Sequence, residues 1–192
     1  MNQQQRNPKR KTGAVSIIAA LLIAAVAYFF NIDLSTDVKE GQIPVELVQT
    51  IDGDTIQVMI DGEKRNIRYL LIDTPEIDHK NPGNTEPFAV EARDRNDELL
   101  RSGQVTIEFD EGDREDKYGR LLAYIYVDGK SVQQTLLSEG YARVAYVFEP
   151  NTRYIDEFNK AEKQAKDAQK GIWEVDGYVT NRGFDVDVYS KK

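Results

Sequence analysis

The sequence predicts an α+β fold, a small five-stranded Greek-key β-barrel carrying three packed α-helices, with a hydrophobic helix ahead of it. Three observations lead there. Apolar and β-branched residues fall into five short runs, Asp-Gly pairs at 61–62 and 128–129 mark tight turns, and three stretches of helical period lie between and after the runs. Five short strands with one face to bury are closed most economically into a barrel, which leaves no exposed edge.

The elements follow in chain order. Residues 1–30 read as a signal peptide or membrane anchor: Arg6, Lys9, Arg10 and Lys11 come without an acid and precede Ala14 to Phe30, whose polar member is Ser16. At about 1.5 Å per residue this run spans roughly 25 Å as a helix, short of the roughly 30 Å hydrocarbon core. An Ala25-Val26-Ala27 triplet suits a signal peptidase, yet Tyr28, Phe29 and Phe30 continue the apolar run past it, so cleaved signal and retained anchor both stay open. The basic flank orients everything after Asn31 to the outside. The expected location is extracytoplasmic, either secreted or held on the outer face of the cytoplasmic membrane.

Residues 31–43 form a polar, acidic linker, 44–175 the folded domain and 176–192 a C-terminal extension with some alternation at Tyr178, Phe184, Val186 and Val188. Strands are expected at Pro44–Thr50, Thr55–Ile60, Ile67–Ile72, Val105–Phe109 and Leu121–Val127. Phe88, Ala92 and Leu99 share a helical face ahead of Gly103. Val132, Leu136 and Leu137 form a second, with Ser131 as N-cap and Gly140 as the stop. Ile155, Phe158, Ala161, Ala165 and Ala168 form the third, capped by Asn151 or Thr152 and ended by Gly171.

Composition narrows the chemistry. With no Cys and one His, disulfides, thiolate metal sites and His-cluster zinc centres are excluded, so any metal relies mainly on oxygen ligands. The net charge is −8, and without the leader 21 basic residues face 33 acids, about −12. Broad electrostatic capture of nucleic acid is therefore disfavoured, and any polyanion site must be local.

Three segments hold chemistry-bearing residues. Ile51-Asp52-Gly53-Asp54-Thr55 sets two acids about a glycine, although Asp-Gly alone is a common turn. Arg68 to Glu76 puts an arginine on a strand and two carboxylates, Asp73 and Glu76, just past its end. Asp116 to Arg120 adds Lys117 and Tyr118 in what otherwise reads as a solvated loop. Together they suit a hard-cation phosphodiesterase: Asp54, Asp73 and the Thr74 carbonyl as oxygen ligands for Ca²⁺, Glu76 for the attacking water, and Arg68 and Arg120 as guanidinium forks on the phosphate.

The strings IDGDT, IRYLLIDTPE, DKYGRLLAYIYVDGK and RVAYVFEPN closely resemble the staphylococcal nuclease (thermonuclease) family from about Val45 to Trp173. The resemblance implies an OB-fold barrel with three helices and an exported, Ca²⁺-dependent nuclease, monomeric, that hydrolyses DNA and RNA to 3′-phosphate ends. It also implies that Asp54, Asp73 and Thr74 hold calcium, with Asp52 just behind them. Glu76 positions or deprotonates the water, and Arg68 and Arg120 hold the scissile phosphate. Lys117 and Tyr118 contact the neighbouring 3′-phosphate, and a base packs on Tyr146. Three departures stand out: Phe148 replaces a tyrosine, the 78–86 loop has fewer lysines and holds His79, and the chain is acidic where the familiar secreted enzyme is basic. His79 reads as a solvated loop residue. A noncatalytic nucleic-acid-binding barrel and a surface interaction domain are the competing classes. Three carboxylates in a polyanion site argue against the binding barrel, since they repel phosphate unless a cation intervenes.

Overall fold

The structure, a computed structural model, describes residues 38–189. The leader, its signal or anchor character and most of the linker lie outside that range. Among the described residues no helix is long and apolar enough to cross a membrane.

In chain order the elements are β1 (Gln42–Pro44), β2 (Glu46–Thr50), β3 (Thr55–Ile60), β4 (Glu63–Tyr69), β5 (Ile72–Asp73), α1 (Ala89–Leu100), β6 (Val105–Glu108), β7 (Leu121–Val127) and β8 (Lys130–Ser131). Then come α2 (Val132–Glu139), β9 (Arg143–Val144), α3 (Ile155–Asp167), β10 (Val179–Thr180), β11 (Gly183–Phe184) and α4 (Val186–Tyr189). The α+β class and the three expected helices are present. The main sheet runs β1-β6-β7-β4-β3-β2, with β8 added on β7. Its two end strands are consecutive in the chain with Val45 between them, and the Val45 N–H donates to the Val105 carbonyl (3.0 Å). One stretch thus pairs with β6 by its first half and β3 by its second, where the sequence suggests a single strand from Pro44.

The third strand also differs from its expected span, Ile67–Ile72. Pairing begins at Glu63, directly after the Asp61-Gly62 turn, because Glu63 lies opposite Ile60 and Arg65 opposite Val58. Charged side chains at 63–65 hide this half from any search for apolar runs. The strand stops at Tyr69: Leu71 adopts φ 66°, the chain turns, and Ile72–Asp73 leave the main sheet to pair with β9. Both Asp-Gly turns put their two residues at positive φ, as a two-residue hairpin of right-handed strands requires.

Ser131 caps α2, its hydroxyl accepting from the Gln134 N–H (3.2 Å). Neither Asn151 nor Thr152 side chain caps α3, whose N-cap is Tyr154. Asn151 instead accepts from Gly112 N–H (2.7 Å) and donates to the Asp113 carbonyl (3.1 Å), tying down a loop. Asp110 accepts the Arg153 N–H (3.1 Å), while Tyr154 and Phe158 pack on Tyr124. α3 ends at Asp167, ahead of Gly171, which opens a 3-10 turn.

The main core joins the inner face of the sheet (Ile56, Val58, Ile67, Ile107, Ile125) to α2 and α3 through Leu136, Leu137 and Phe158. A second cluster is centred on Ile172, Val175 and fully buried Tyr178, with Phe88, Trp173, Phe184 and Val188 against it. The extension therefore packs.

Two glycines let the end of α2 meet the turn after α3. A Cβ on Gly140 (φ 82°) would lie 2.3 Å from the Lys170 carbonyl oxygen, and one on Gly171 (φ 54°) 2.2 Å from that of Gly140. Gly140→Ala therefore suffers backbone strain and a clash together, and is expected to lose more than about 1 kcal/mol of stability in urea unfolding. A wild-type midpoint would contradict the stated contact.

Candidate active site

The Ile51–Thr55 turn is built to bring its acids against the segment after β5. Asp52 accepts the Asp54 N–H (3.0 Å), and the Asp52 carbonyl accepts from the side chain of Asn96, which in turn accepts the Tyr69 hydroxyl (3.2 and 2.9 Å). Asn96 is fully buried on α1. Gly53 is required by proximity, since a Cβ there would sit 2.6 Å from the Thr74 hydroxyl. With the turn so close, Asp54 Oδ2 accepts the Thr74 N–H (2.9 Å).

Arg68, at the end of β4, ion-pairs with Asp54 and bonds Asp73 Oδ1 (3.2 Å). The β5/β9 pairing sets Asp73 opposite Arg143, whose Nε and other fork nitrogen reach Asp73 Oδ2 at 3.0 and 2.8 Å. Asp54, Asp73, Thr74 and Arg68 are buried. Burial and the Asp54 charge push the carboxyl of Asp52 up to about 8, and Asp73 is raised for the same reasons against the pull of Arg143 and Arg68. Glu76 keeps contact with solvent, and partial desolvation with the Asp54 charge pushes it to about 7.

A cleft of about 810 Å³ opens beside these acids, with Arg68, Glu76, Lys117, Tyr118, Arg120 and Tyr146 among its lining residues. Arg120 is held by Asp116, which accepts its Nε–H (2.7 Å), its backbone N–H (3.0 Å) and the Tyr118 N–H (2.9 Å). Tyr118 lies under Lys117 and Arg120, with centroid distances of 5.0 and 5.6 Å. Tyr146 has φ 54°, uncommon for an aromatic residue, and its ring lies 5.5 Å from the Arg68 guanidinium carbon. Tyr118, Tyr146 and Phe148 are 71%, 58% and 69% exposed, so three aromatic faces are available to a ligand.

The residues singled out in the sequence thus meet in two adjoining groups. Asp52, Asp54, Asp73 and Thr74 form a buried acidic wall, and Lys117, Tyr118, Arg120 and Tyr146 form the cleft, with Arg68 and Glu76 at the boundary. His79 is exposed and does not line the cleft. Sequence reasoning missed Asn96, Arg143, Glu86 and the holding role of Asp116. Of these, Asn96 carried a signal: it shares a helical face with Ala89, Ala92 and Leu100, where a polar residue needs a partner.

The donor set fits a hard divalent cation. Every candidate ligand is an oxygen, and four carboxylates within electrostatic reach of one another raise the cost of keeping all of them ionised, a cost that a bound cation relieves. Among the described residues no cluster of three or more His, Cys, Asp or Glu forms a ready metal cage, so Asp54 and Asp73 would need the Thr74 carbonyl and water.

A family model described as "Staphylococcal nuclease homologue" matches residues 66–175. The chain is 59% identical over 143 residues to "Endonuclease YncB" of Bacillus subtilis (strain 168), covering 74% of this chain and 67% of that protein. It is 58% identical over 143 residues to "SPbeta prophage-derived endonuclease YokF" of the same organism, covering 74% and 48% respectively, so it spans about half of that relative. It is also 32% identical over 171 residues to the "Thermonuclease" of Staphylococcus hyicus, covering 86% of this chain and 98% of that protein.

Asp116 supplies a check on the cleft loop. Burial pushes its pKa up, but the bonds from Arg120 and Tyr118 outweigh it and hold the carboxyl below the ordinary value. A depressed folded-state pKa adds stability that is complete above the unfolded value, about 3.9, and fades as pH falls through the folded one. The stability gap between wild type and Asp116→Asn is therefore expected to be full at pH 7 and to shrink below about pH 4. A gap constant from pH 7 to pH 3 would dismiss Asp116 as the loop's anchor.

Proposed function

Since the chain belongs to the staphylococcal nuclease family, we propose that it is a Ca²⁺-dependent phosphodiesterase that hydrolyses DNA and RNA and leaves 3′-phosphate ends. One observation carries the reading: two arginines and Glu76 share a single cleft beside buried Asp54 and Asp73. A pure binding module gains nothing from carboxylates buried against a polyanion site, whereas a hydrolase needs them for the ion. In this reading the ends of the main sheet meet at Val45 to close an OB-type barrel, and the protein acts as a monomer outside the cytoplasmic membrane.

Asp54, Asp73 and the Thr74 carbonyl would hold the ion. When bound, Ca²⁺ neutralises charge on the phosphate and polarises its oxygens. Glu76 orients a water toward phosphorus or takes its proton. Glu76 is exposed and lines the cleft, so a water beside it is within reach of a carboxylate that can accept a proton. Arg68 and Arg120 stabilise the extra negative charge on the phosphoryl oxygens, each through the planar fork that suits phosphate. Asp116 fixes Arg120 at the cleft lining, which removes part of the entropy cost of ordering it during reaction. Lys117 and Tyr118 take the adjacent phosphate, and Tyr146, with Phe148 near it, offers faces on which bases stack without regard to sequence.

The first test is a gel assay on linear and circular DNA and on RNA, with Ca²⁺ and with excess chelator. Cleavage is expected with Ca²⁺ and lost on chelation. Undiminished cleavage in chelator would remove the ion from the reaction. Arg120→Ala should lower turnover by about 10²- to 10³-fold, the scale of losing one transition-state donor, with the fold intact by circular dichroism. Wild-type turnover would exclude Arg120 from the chemistry.

A further inference from the structure

Two sets of contacts link the C-terminal extension to the acids of the site. Arg143 spends two fork nitrogens on Asp73 Oδ2, and its third nitrogen donates to the Thr180 carbonyl (3.3 Å). Its guanidinium carbon lies 5.7 Å from the centre of the Phe184 ring. The other link runs through the loop that follows Glu76. Glu86 closes that loop by accepting the Glu76 N–H (2.8 Å) and donating its own N–H to the Glu76 carbonyl (3.0 Å). On the next residue, the Pro87 carbonyl accepts the hydroxyl of fully buried Tyr178 (2.6 Å).

We propose that the segment Tyr178–Tyr189 is a brace that positions the active-site acids, fixing Asp73 through Arg143 and the Glu76 loop through Pro87. The proposal rests on the nuclease reading and names positioning residues for it, Arg143 and Tyr178, outside the phosphate-binding and water-handling groups. Its physical basis is the shortness of the elements that carry the acids. β5 and β9 have two residues each, too few to hold a side chain's direction by ladder bonds alone. Asp73 is buried beside Asp54, so an unfixed carboxylate there would turn away from its like-charged neighbour. Arg143 prevents this only if it is itself fixed, and its outward side is closed by Thr180 and Phe184. The β10/β11 hairpin that presents them is seated in turn by Tyr178 in the second apolar cluster. Partners standing directly behind metal-binding side chains govern affinity in this way, and their loss costs about 10- to 100-fold.

The test uses the full-length protein with Arg143→Ala, Arg143→Lys, Tyr178→Phe and Phe184→Leu. Two measurements are made: Ca²⁺ binding by calorimetry, and amide hydrogen exchange in the metal-free protein. Arg143→Ala is expected to weaken Ca²⁺ binding by about 10- to 100-fold and to speed exchange across residues 72–75, with Arg143→Lys recovering part of both. Tyr178→Phe, which deletes only a hydroxyl, should speed exchange at the Glu76 and Glu86 amides. Wild-type Ca²⁺ affinity and exchange in folded Arg143→Ala would overturn the brace. Should that variant not fold, unchanged exchange in both Tyr178→Phe and Phe184→Leu would overturn it equally. Absence of Ca²⁺ binding by the wild type would instead refute the nuclease reading, while exchange in the metal-free protein would still decide the brace.

Discussion

Four carboxylates and two guanidinium groups gather at this site, three of the acids buried, and the rest of the site is shaped by the cost of keeping them there. Removing a charge from water costs several kcal/mol even after relaxation, and a like charge nearby adds to it. Each surrounding feature reduces that cost. The amides of Asp54 and Thr74 point at carboxylate oxygens, Arg68 spans Asp54 and Asp73, and Arg143 takes the far side of Asp73. What remains is visible as the raised carboxyls of Asp52, Asp73 and Glu76. The cluster is therefore paired well enough to fold while a residual penalty remains, one that a cation held as proposed above would relieve.

The same constraint explains why the sheet is built as it is. β4 and β7 run parallel with Arg68 opposite Leu122, two residues from Arg120. Arg68 and Leu122 reach the cleft from neighbouring strands, and Arg120 reaches it from the position just before β7. The turn at Leu70–Leu71 then redirects the chain, and the short β5/β9 pair carries Asp73 to the other side of Arg68. A continuous strand from Ile67 to Ile72 would have kept Asp73 in the main ladder, away from Arg143. The local irregularity that defeats a reading by apolar runs is thus what assembles the site.

Legibility follows the range of the interaction. The two Asp-Gly hairpins, the Ser131 cap and the faces of α2 and α3 were readable because each is decided within a few residues. Candidate acids and arginines were readable as residue types out of place, such as Asp73 and Glu76 at a strand end. The Asn151 cap was misread because that side chain has a better partner near Gly112, far along the chain. Arg143 was invisible for the same reason: nothing between Gly140 and Phe148 says that Asp73 lies across from it. The extension could not be interpreted from alternation alone, since its order comes from Tyr178 entering a pocket formed partly by Phe88, 90 residues earlier.

An acidic protein that binds a polyanion needs short-range forces to prevail over the long-range field. In the cleft Arg68, Lys117 and Arg120 face Glu76, Asp113, Glu115, Asp116 and Glu149, so the lining holds more acids than bases. Screening reduces charge interactions beyond roughly 8 Å at physiological salt, which weakens repulsion from the distant surface while sparing direct contacts. In the proposed reading, stacking on Tyr146 and Phe148 adds attraction that is indifferent to salt and needs only unpaired bases. In the nuclease reading proposed above, substrate contact would therefore rest on a few guanidinium groups, exposed rings and the ion.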